Sequence, residues 1–305
     1  MTKIQISACT YRRPDGLRSL LKSIQDITVP QDMSLSVCIV DNDTEPSAED
    51  LVNQIAATFP WPINYAHEAE PGIPMARNRA LDEASDADFI AFVDDDETVE
   101  PDWLEALWTM AQRSNADFIQ GPVRMTVADV TDAWWLKTLF FKLSEFPDGT
   151  PRHESWSNNV LVDLRFVRAH DIRFDETLAL DGGTDTLFFQ DMVRAGARGV
   201  FAANAWVIEE QPSSRLRWKW AMQRQFRYGV TRANTVMMRR GRLTALTHCI
   251  FRSGGMAVIG SGLLVSGLVR GRVGLADGIA LWSRSIGVLA GMTGHRHREY
   301  KRQKP

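Results

Sequence analysis

The sequence predicts an α/β fold built on a mixed, mostly parallel sheet that is flanked by helices. Short apolar runs alternate with amphipathic helical patterns in units of roughly 30 residues, which is typical of doubly wound sheets. Residues 89–93 form an uninterrupted apolar run, as expected of a strand that is buried on both faces. With 305 residues, of which 44% are hydrophobic, the chain is long enough for one large or two small domains with a real core.

Each predicted element follows from its local pattern. Leu17, Leu20, Leu21 and Ile24 recur at helical spacing and predict the first helix. The predicted strands cover residues 3–9, 35–40, 63–66, 89–93 and 118–127, and the predicted helices lie around residues 17–24, 49–58, 76–81 and 103–113. After residue 127 the alternation weakens, so we expect an α/β domain over residues 1–212 and a helical C-terminal region over residues 213–305.

Four consecutive acids, Asp94, Asp95, Asp96 and Glu97, follow the apolar run 89–93 directly. Because unpaired carboxylates are costly to bury, we expect them at the C-terminal edge of the sheet, where open α/β sheets bind ligands. Side chains alternate along a strand, so Asp94 and Asp96 should point to one side and Asp95 to the other. Such a pair favours a hard divalent cation, Mg²⁺ or Mn²⁺, that takes its remaining ligands from substrate phosphates. The alternative is a solvated acidic turn that caps the following helix.

A second predicted strand also ends in an acid, Asp41, and it should open onto the same edge of the sheet. An aspartate there can accept hydrogen bonds from a base or a ribose hydroxyl, and Arg77 can bind phosphate oxygens. The alternatives are a helix cap or Asx turn for Asp41 and a surface salt bridge for Arg77. No GxGxxG follows the first strand and no Walker pattern is present, which disfavours a Rossmann dehydrogenase or a P-loop ATPase.

Asp185 lies where a helix is predicted to begin, just after the glycine pair Gly182 and Gly183. The functional hypothesis is a general base that stays ionised at neutral pH near the positive end of that helix. The alternative is a plain N-cap.

The composition narrows the class of protein and its compartment. A net charge of −3 gives no reason to expect nucleic acid as a partner. The three cysteines, Cys9, Cys38 and Cys249, lack CxxC or histidine spacing and are interpreted as buried thiols in a reducing compartment. The N-terminus lacks the basic and apolar regions of a signal peptide, so catalysis is expected in the cytoplasm.

The C-terminal region combines basic, aromatic and apolar stretches. Aromatic and basic residues interleave over residues 217–232, residues 253–269 are uncharged, and Arg284 interrupts a second apolar stretch over residues 279–293. The last residues add a basic tail at 296–304. This pattern favours a monotopic or re-entrant anchor at the cytoplasmic face of the inner (plasma) membrane. A soluble helical hairpin is the alternative, because the apolar runs are short for a spanning helix.

Six short motifs, in this order and spacing, resemble glycosyltransferase family 2, whose members have the nucleotide-sugar-binding GT-A fold. The resemblance runs from the first strand to about residue 199. The motifs are Thr10-Tyr11-Arg12-Arg13, Val40-Asp41-Asn42, Ala76-Arg77-Asn78, Asp94-Asp95-Asp96, Asn158-Asn159 and Gly182-Gly183-Thr184-Asp185.

The resemblance implies a role for each motif. The nucleotide-sugar is expected to contact Thr10, Tyr11, Arg12, Asp41, Arg77, Asp94 and Asp95. Asp94 and Asp96 would hold the metal, and Asp185 would be the catalytic base. The acceptor would lie near Asn158, Asn159, Gly183 and Thr184. Thr184 stands where the family usually has glutamate, so a carboxylate that often binds the acceptor is missing.

The expected reaction is an inverting, metal-dependent transfer from a UDP-sugar, with direct displacement at the anomeric carbon. One base without a nearby second carboxylate favours inversion. The likeness to succinoglycan-type exopolysaccharide glucosyltransferases makes glucose the expected sugar. The acceptor would be a saccharide, free or linked to polyprenyl diphosphate and met at the membrane surface. The competing hypotheses are a nucleotidyltransferase and a catalytically inactive scaffold that binds nucleotide-sugar at the membrane.

Overall fold

The computed structural model describes residues 1–179, 182–239 and 241–295, so the predicted basic tail at residues 296–304 lies outside the described residues. The chain divides into two compact units. The first comprises Met1–Arg124, Glu145–Leu180 and Thr184–Glu209, and the second comprises Met125–Ser144, Asp181–Gly183 and Glu210–Pro305. A functional division of the chain near residue 212 remains our proposal.

The described part of the chain contains strands and helices in the order expected of an α/β protein. The strands are β1 (Thr2–Thr10), β2 (Met33–Asp41), β3 (Ile63–His67), β4 (Phe89–Val93), β5 (Glu97–Val99), β6 (Phe118–Gln120), β7 (Val123–Thr126), β8 (Pro151–Arg152), β9 (Asn159–Asp163), β10 (Gly199–Phe201) and β11 (Val207–Glu210). The helices are α1 (Pro14–Gln25), α2 (Glu49–Ala56), α3 (Ile73–Glu83), α4 (Trp103–Ser114), α5 (Leu164–Ala169), α6 (Thr184–Arg194), α7 (Trp218–Arg239), α8 (Arg242–Arg270) and α9 (Arg272–Met292).

The main sheet has eight strands in the order β3-β2-β1-β4-β9-β6-β10-β8. The pairs from β3 to β4 and the pair β6–β10 are parallel, whereas β9 runs antiparallel to both of its neighbours. The expected mixed, mostly parallel sheet is therefore confirmed. A smaller sheet has the order β5-β11-β7.

Strand β4 is buried on both faces, as its sequence predicts. Phe89, Ala91 and Val93 pack into one apolar core, and Ile90 and Phe92 pack into the core on the opposite side. The alternation follows from the two-residue period of a strand. Burial of both faces explains why the apolar run is continuous.

The strand register brings the ends of three strands together. Thr10, the last residue of β1, pairs with Asp41 at the end of β2. On the other side of β1, Ser7 pairs with Phe92, so β4 ends close to the same edge. The carboxyl ends of these parallel strands therefore form the edge at which the acids emerge.

The second unit is mainly helical. Trp135, Phe140 and Phe141 form a buried cluster with Ala276 and Ala280 of α9. Helix α8 over Leu243–Val269 and helix α9 are long and apolar enough, by length and composition, to cross a membrane.

Candidate active site

The four acids after β4 form a turn and do not continue the strand. The amide of Glu97 donates to the carbonyl oxygen of Asp94 at 3.2 Å, which closes the turn. The alternation expected from a continuing strand therefore does not apply here. Asp95 and Asp96 instead share the Nη1 atom of Arg13, at 2.9 and 2.8 Å, whereas Asp94 lies 3.5 Å from Nη2 of Arg77.

Asp95 fastens this turn to the first strand. Its side chain accepts a hydrogen bond from Oγ1 of Thr10 at 2.8 Å, and the residue is only 5% exposed. Burial raises the pKa of Asp95, and the charge of Arg13 opposes that shift. Thr10 and Asp95 thus fix the position of the turn. Arg13 belongs to one of the family motifs, but the resemblance gave it no role, and its contacts with Asp95 and Asp96 emerge only from the structure.

Asp94 carries negative charge that the protein compensates only in part. Although 44% of its side-chain surface reaches solvent, burial among its neighbours raises its pKa to about 7, and Arg77 opposes that shift. Three acids, Asp96, Asp185 and Asp95, raise this pKa further. A divalent cation would supply the missing positive charge, so Asp94 and Asp96 fit a site of this kind. Among the described residues no cluster of three or more His, Cys, Asp or Glu is placed to hold a metal ion.

Glu97 is buried next to Asp94 and is hydrogen-bonded to its backbone. It is 1% exposed, and its Oε2 atom accepts a hydrogen bond from the amide of Asp94 at 3.1 Å. Its Oε1 atom accepts from Nδ2 of Asn158 at 2.9 Å. Burial holds the pKa of Glu97 well above its usual range, and the neighbouring Asp94 and Glu209 raise it as well. The sequence places Glu97 in the acidic run but does not reveal that it joins Asp94 to Asn158.

Arg77, on α3, joins Asp94 to Asp185 at the beginning of α6. Arg77 is 8% exposed, its Nη1 atom forms a short ion pair with Oδ1 of Asp185, and its Nη2 atom faces Asp94. The guanidinium also lies over the ring of Phe174, with its carbon 5.8 Å from the ring centroid. Two predicted site residues that are 108 positions apart in sequence are therefore in direct contact.

A buried serine lies beside Asp185. The amide of Ser157 is 3.4 Å from Oδ2 of Asp185, and the residue is 1% exposed. Its hydroxyl has no hydrogen-bond partner within the part of the chain that the structure describes. A hydroxyl group of a bound molecule would satisfy it, since buried polar groups are normally hydrogen-bonded.

Asp41 is fully buried, and its carboxylate is occupied by the protein itself. It accepts hydrogen bonds from the amide of Ala48 at 2.7 Å and from the hydroxyl of Tyr65 at 3.0 Å. The amide of Asp43, at 3.2 Å, and the hydroxyl of Ser47, also at 3.2 Å, complete its surroundings. These contacts match the turn-and-cap alternative that the sequence left open.

Arg12 and Tyr11 lie on the loop after β1. Arg12 donates two hydrogen bonds to Asp43, at 2.6 and 3.2 Å, in a bidentate arrangement. Its guanidinium lies over the ring of Tyr11, 5.3 Å from the centroid. This pairing lowers the pKa of Asp43, chiefly through the hydrogen bond from Arg12. Arg12 and Tyr11 remain accessible, with 59% of the Arg12 side chain and 36% of Tyr11 exposed.

Of the predicted acceptor residues, Asn159 is the most deeply buried. It is 1% exposed and accepts a hydrogen bond from the indole of Trp103 at 2.8 Å. Its amide donates to two backbone carbonyls, those of Pro122 and Ala205, both at 2.7 Å. Asn159 therefore stabilises the start of β9. Its neighbour Asn158 is linked to the acidic turn through its hydrogen bond to Glu97.

Thr184 and Gly183 precede Asp185. Thr184 is 4% exposed, and its hydroxyl lies 3.5 Å from Oδ1 of Asp185. Gly183 has φ +103°, and a Cβ atom there would lie 2.7 Å from Cγ2 of Thr231. Glycine is therefore required by both backbone conformation and space.

Comparison with known proteins identifies the class. The sequence profile described as Glycosyl transferase family 2 matches residues 6–168, just over half of the chain. The chain belongs to glycosyltransferase family 2 and is a glycosyltransferase, as its motifs predicted.

Individual relatives agree with this assignment. The chain is 38% identical over 229 residues to the succinoglycan biosynthesis protein ExoM of Rhizobium meliloti (strain 1021), a match that covers 75% of this chain and 73% of ExoM. It is 25% identical over 132 residues to the uncharacterized glycosyltransferase YibD of Escherichia coli (strain K12), covering 43% and 37% of the two chains.

Solved structures confirm the GT-A fold. The mannosyltransferase PcManGT from Pyrobaculum calidifontis, in complex with GDP-Man and Mn²⁺, superimposes with a TM-score of 0.63 at 15% identity, covering 94% of this chain and 86% of that one. S. aureus TarS 1-349 in complex with UDP gives 0.53 at 14% identity, covering 99% and 93%. At these identities the likeness concerns the fold alone.

Proposed function

We propose that the protein transfers a sugar, with glucose as the leading candidate, from a UDP-sugar to a saccharide acceptor in cell-surface or exopolysaccharide assembly. The observation that carries this proposal is the chain of contacts from Asp94 through Arg77 to Asp185. It joins an acid suited to the donor side of the reaction to an acid suited to the acceptor side. The relationship to a succinoglycan biosynthesis protein supports the exopolysaccharide context.

On the donor side, Asp94 and Asp96 would hold Mn²⁺ or Mg²⁺ together with the diphosphate. When bound, the cation would neutralise charge that develops on the leaving nucleoside diphosphate. Arg77 is placed to share in that task, because its guanidinium already faces Asp94 and can bind phosphate oxygens. Arg12 and Tyr11 are the accessible candidates for contacting the nucleotide, whereas Thr10, Asp41 and Asp95 act by holding the edge of the sheet.

On the acceptor side, Asp185 would take the proton from the attacking hydroxyl group. Its Oδ2 atom faces the amide of Ser157, and the buried hydroxyl of Ser157 is suited to orient an acceptor hydroxyl. Direct attack opposite the leaving group inverts the configuration. An α-linked sugar nucleotide should therefore give a β-linked product, and an α-linked product by NMR would refute a one-step displacement.

The acceptor and the location complete the proposal. The acceptor would be a saccharide carried on a polyprenyl diphosphate, and the enzyme would work at the cytoplasmic face of the inner membrane. Two apolar helices in the C-terminal unit support this location. Membership of the family favours glycosyl transfer over nucleotidyl transfer.

The test is a screen of sugar nucleotides by release of nucleoside diphosphate, with membrane extract as the source of acceptor. We expect release from a UDP-sugar with Mn²⁺ or Mg²⁺, loss of release with EDTA, and recovery when the cation is restored. Asp185→Asn should lower the rate at least about a hundredfold, since positioned general bases contribute roughly 10²–10⁴-fold.

Asp191→Asn is the matched control. Asp191 lies on the same helix, has a side chain that is 38% exposed, and is paired with Arg194 at 3.6 Å, so its substitution should leave turnover unchanged. Full turnover by the Asp185→Asn enzyme would exclude Asp185 as the base, and no turnover of any sugar nucleotide would favour the inactive scaffold.

A further inference from the structure

Charge is strongly segregated along the chain. Residues 210–305 contain 18 Lys and Arg against 3 Asp and Glu, whereas residues 1–209 contain 17 against 35. The C-terminal part therefore carries a formal excess of 15 positive charges in a protein whose net charge is −3. Such a region attracts an anionic partner and repels a second copy of itself.

Helix α8 exposes large apolar side chains instead of burying them. Phe251, Val258 and Val265 are 81%, 74% and 69% exposed, and Leu268 and Val269 are 83% and 91% exposed. Residues 253–269 contain no charge and extend over roughly 25 Å at the rise of an α-helix. Water-exposed helices normally place such residues inward, so this face is suited to an apolar environment.

The exposed face continues onto α9. Trp282, Ile286 and Leu289 are 39%, 52% and 47% exposed and recur at helical spacing. The indole of Trp282 donates to the hydroxyl of Ser261 on α8 at 3.2 Å, so the two exposed stripes adjoin. Together they form one apolar surface, which we term the α8–α9 face.

The contact between α8 and α9 is made by small residues. A Cβ atom on Gly278 would lie 2.8 Å from the carbonyl oxygen of Gly260, so the backbones approach closely there. Ser253 and Ser285 are buried at the same contact, with their hydroxyl oxygens 2.8 Å apart. Small residues and hydrogen-bonded hydroxyls inside, with large apolar residues outside, are typical of helices that pack within lipid.

Basic and aromatic residues flank the face. Arg252 is exposed at one end of the uncharged stretch, and at the other end the guanidinium of Arg272 lies over the ring of Trp134, 4.6 Å from its centroid. Arginine and tryptophan side chains accumulate at the level of lipid headgroups. The flanking residues therefore match the phosphate layer, and the α8–α9 face matches the acyl chains beneath it.

We propose that the α8–α9 face inserts at the boundary between headgroups and acyl chains of an anionic phospholipid bilayer. This inference rests on one part of the proposed function, the location at a membrane surface. It does not depend on the identity of the sugar donor. Charge complementarity selects a bilayer over a second copy of the chain, because the like charges of two C-terminal units would oppose dimerisation through this face.

Vesicle flotation of the full-length protein tests the inference. We expect binding at least about tenfold tighter to vesicles containing phosphatidylglycerol than to phosphatidylcholine alone, since each basic residue near an anionic surface contributes to attraction. The double variant Val258→Glu/Val265→Glu should lower binding at least about tenfold, because two charges would enter the apolar layer. An environment-sensitive fluorophore attached in Val258→Cys should shift to the blue with anionic vesicles only.

Val130→Glu is the matched control, because Val130 is 83% exposed in the same unit but lies outside the α8–α9 face. It should bind vesicles like the unmodified protein. Circular dichroism of the double variant establishes folding, and its turnover of the UDP-sugar with detergent-solubilised membrane extract as the source of acceptor should be retained. Retained turnover with lost binding separates this inference from the donor assignment.

Two results would overturn the proposal. One is vesicle binding by the folded double variant that equals that of the unmodified protein. The other is an unmodified protein that is dimeric by light scattering, ignores anionic vesicles and becomes monomeric in the double variant. That second outcome would assign the face to a second copy of the chain.

Discussion

The contact of Arg77 with two acids predicts a specific loss of stability on its removal. In Arg77→Met, which keeps much of the side-chain volume, Asp94 and Asp185 lose their shared counter-charge. The side chains of Arg77 and Asp185 are only 9% and 18% exposed, and breaking a buried pair costs about 3–5 kcal/mol. The Asp94 contact is longer, at 3.5 Å, and its carboxylate is 44% exposed, so it adds about 1 kcal/mol at most. We therefore expect a loss of about 3–6 kcal/mol at pH 8.

The loss should depend on pH. Folding raises the pKa of Asp94 to about 7, so the folded protein retains this proton at a pH where the unfolded chain has released it. Stability therefore falls as pH rises toward 7, and removing Arg77, which lowers this pKa, extends the fall to higher pH. At pH 5.5 Asp94 is already largely protonated in the folded protein, so the loss in Arg77→Met should be smaller there, by less than about 1 kcal/mol because solvent screens a carboxylate that is 44% exposed.

Urea denaturation at both pH values measures these losses. The matched control is Arg79→Met on the same helix, where Arg79 and Glu83 form a pair whose side chains are 41% and 23% exposed. Such a pair contributes about 0.5 kcal/mol or less. A loss in Arg77→Met no larger than in Arg79→Met, or equal losses at pH 5.5 and pH 8, would contradict the reasoning.

Three further predictions concern the acidic turn. Glu97→Gln removes a carboxylate whose pKa is raised on folding. The stability of the variant should therefore fall less than that of the unmodified protein as pH rises from 5 to 8, by up to about 1.4 kcal/mol per pH unit. Parallel pH profiles of stability for the two proteins, measured by urea denaturation, would contradict this. Mn²⁺ affinity, measured by titration calorimetry, should weaken up to about tenfold per pH unit below pH 7, because protons compete with the cation for Asp94. An Asp94→Asn protein that binds Mn²⁺ normally would exclude a metal site at Asp94. A Cβ atom on Gly16 would lie 2.5 Å from the carbonyl oxygen of Asp95, so Gly16→Ala should displace the turn, lower stability by about 1–3 kcal/mol and raise the KM for the sugar nucleotide. Arg18→Ala on the exposed face of the same helix should leave that KM unchanged.

Local pattern was sufficient for much of the fold. The burial of β4 follows from its uninterrupted apolar run, and the parallel edge follows from the repeated strand and helix units. The same reasoning assumed that the strand continued through Asp96. The backbone turns after Val93, however. Arg13 forms ion pairs with both Asp95 and Asp96, while Asp94 faces Arg77. A turn stabilised by distant partners is not visible in strand periodicity.

Contacts distant in sequence decided the state of individual side chains. Asp41 has the sequence position of a ligand residue, yet Tyr65 and Ala48 occupy its carboxylate. Asn159 was expected near the acceptor, yet Trp103 and two carbonyl groups use its amide. Whether a polar side chain already has hydrogen-bond partners within the protein depends on which groups the fold brings within about 3 Å of it. The spacing of residues along the sequence does not supply that information.

The sequence by itself determined the family, the acidic edge of the sheet and the candidate base Asp185, because these depend on short motifs and on the periodicity of strands and helices. Only the tertiary structure decided that Arg77 bridges Asp94 and Asp185, that Glu97 lies buried beneath the turn, and that α8 directs its large apolar residues outward. Each of these facts concerns which groups share space after folding, and that is set by packing across long sequence separations.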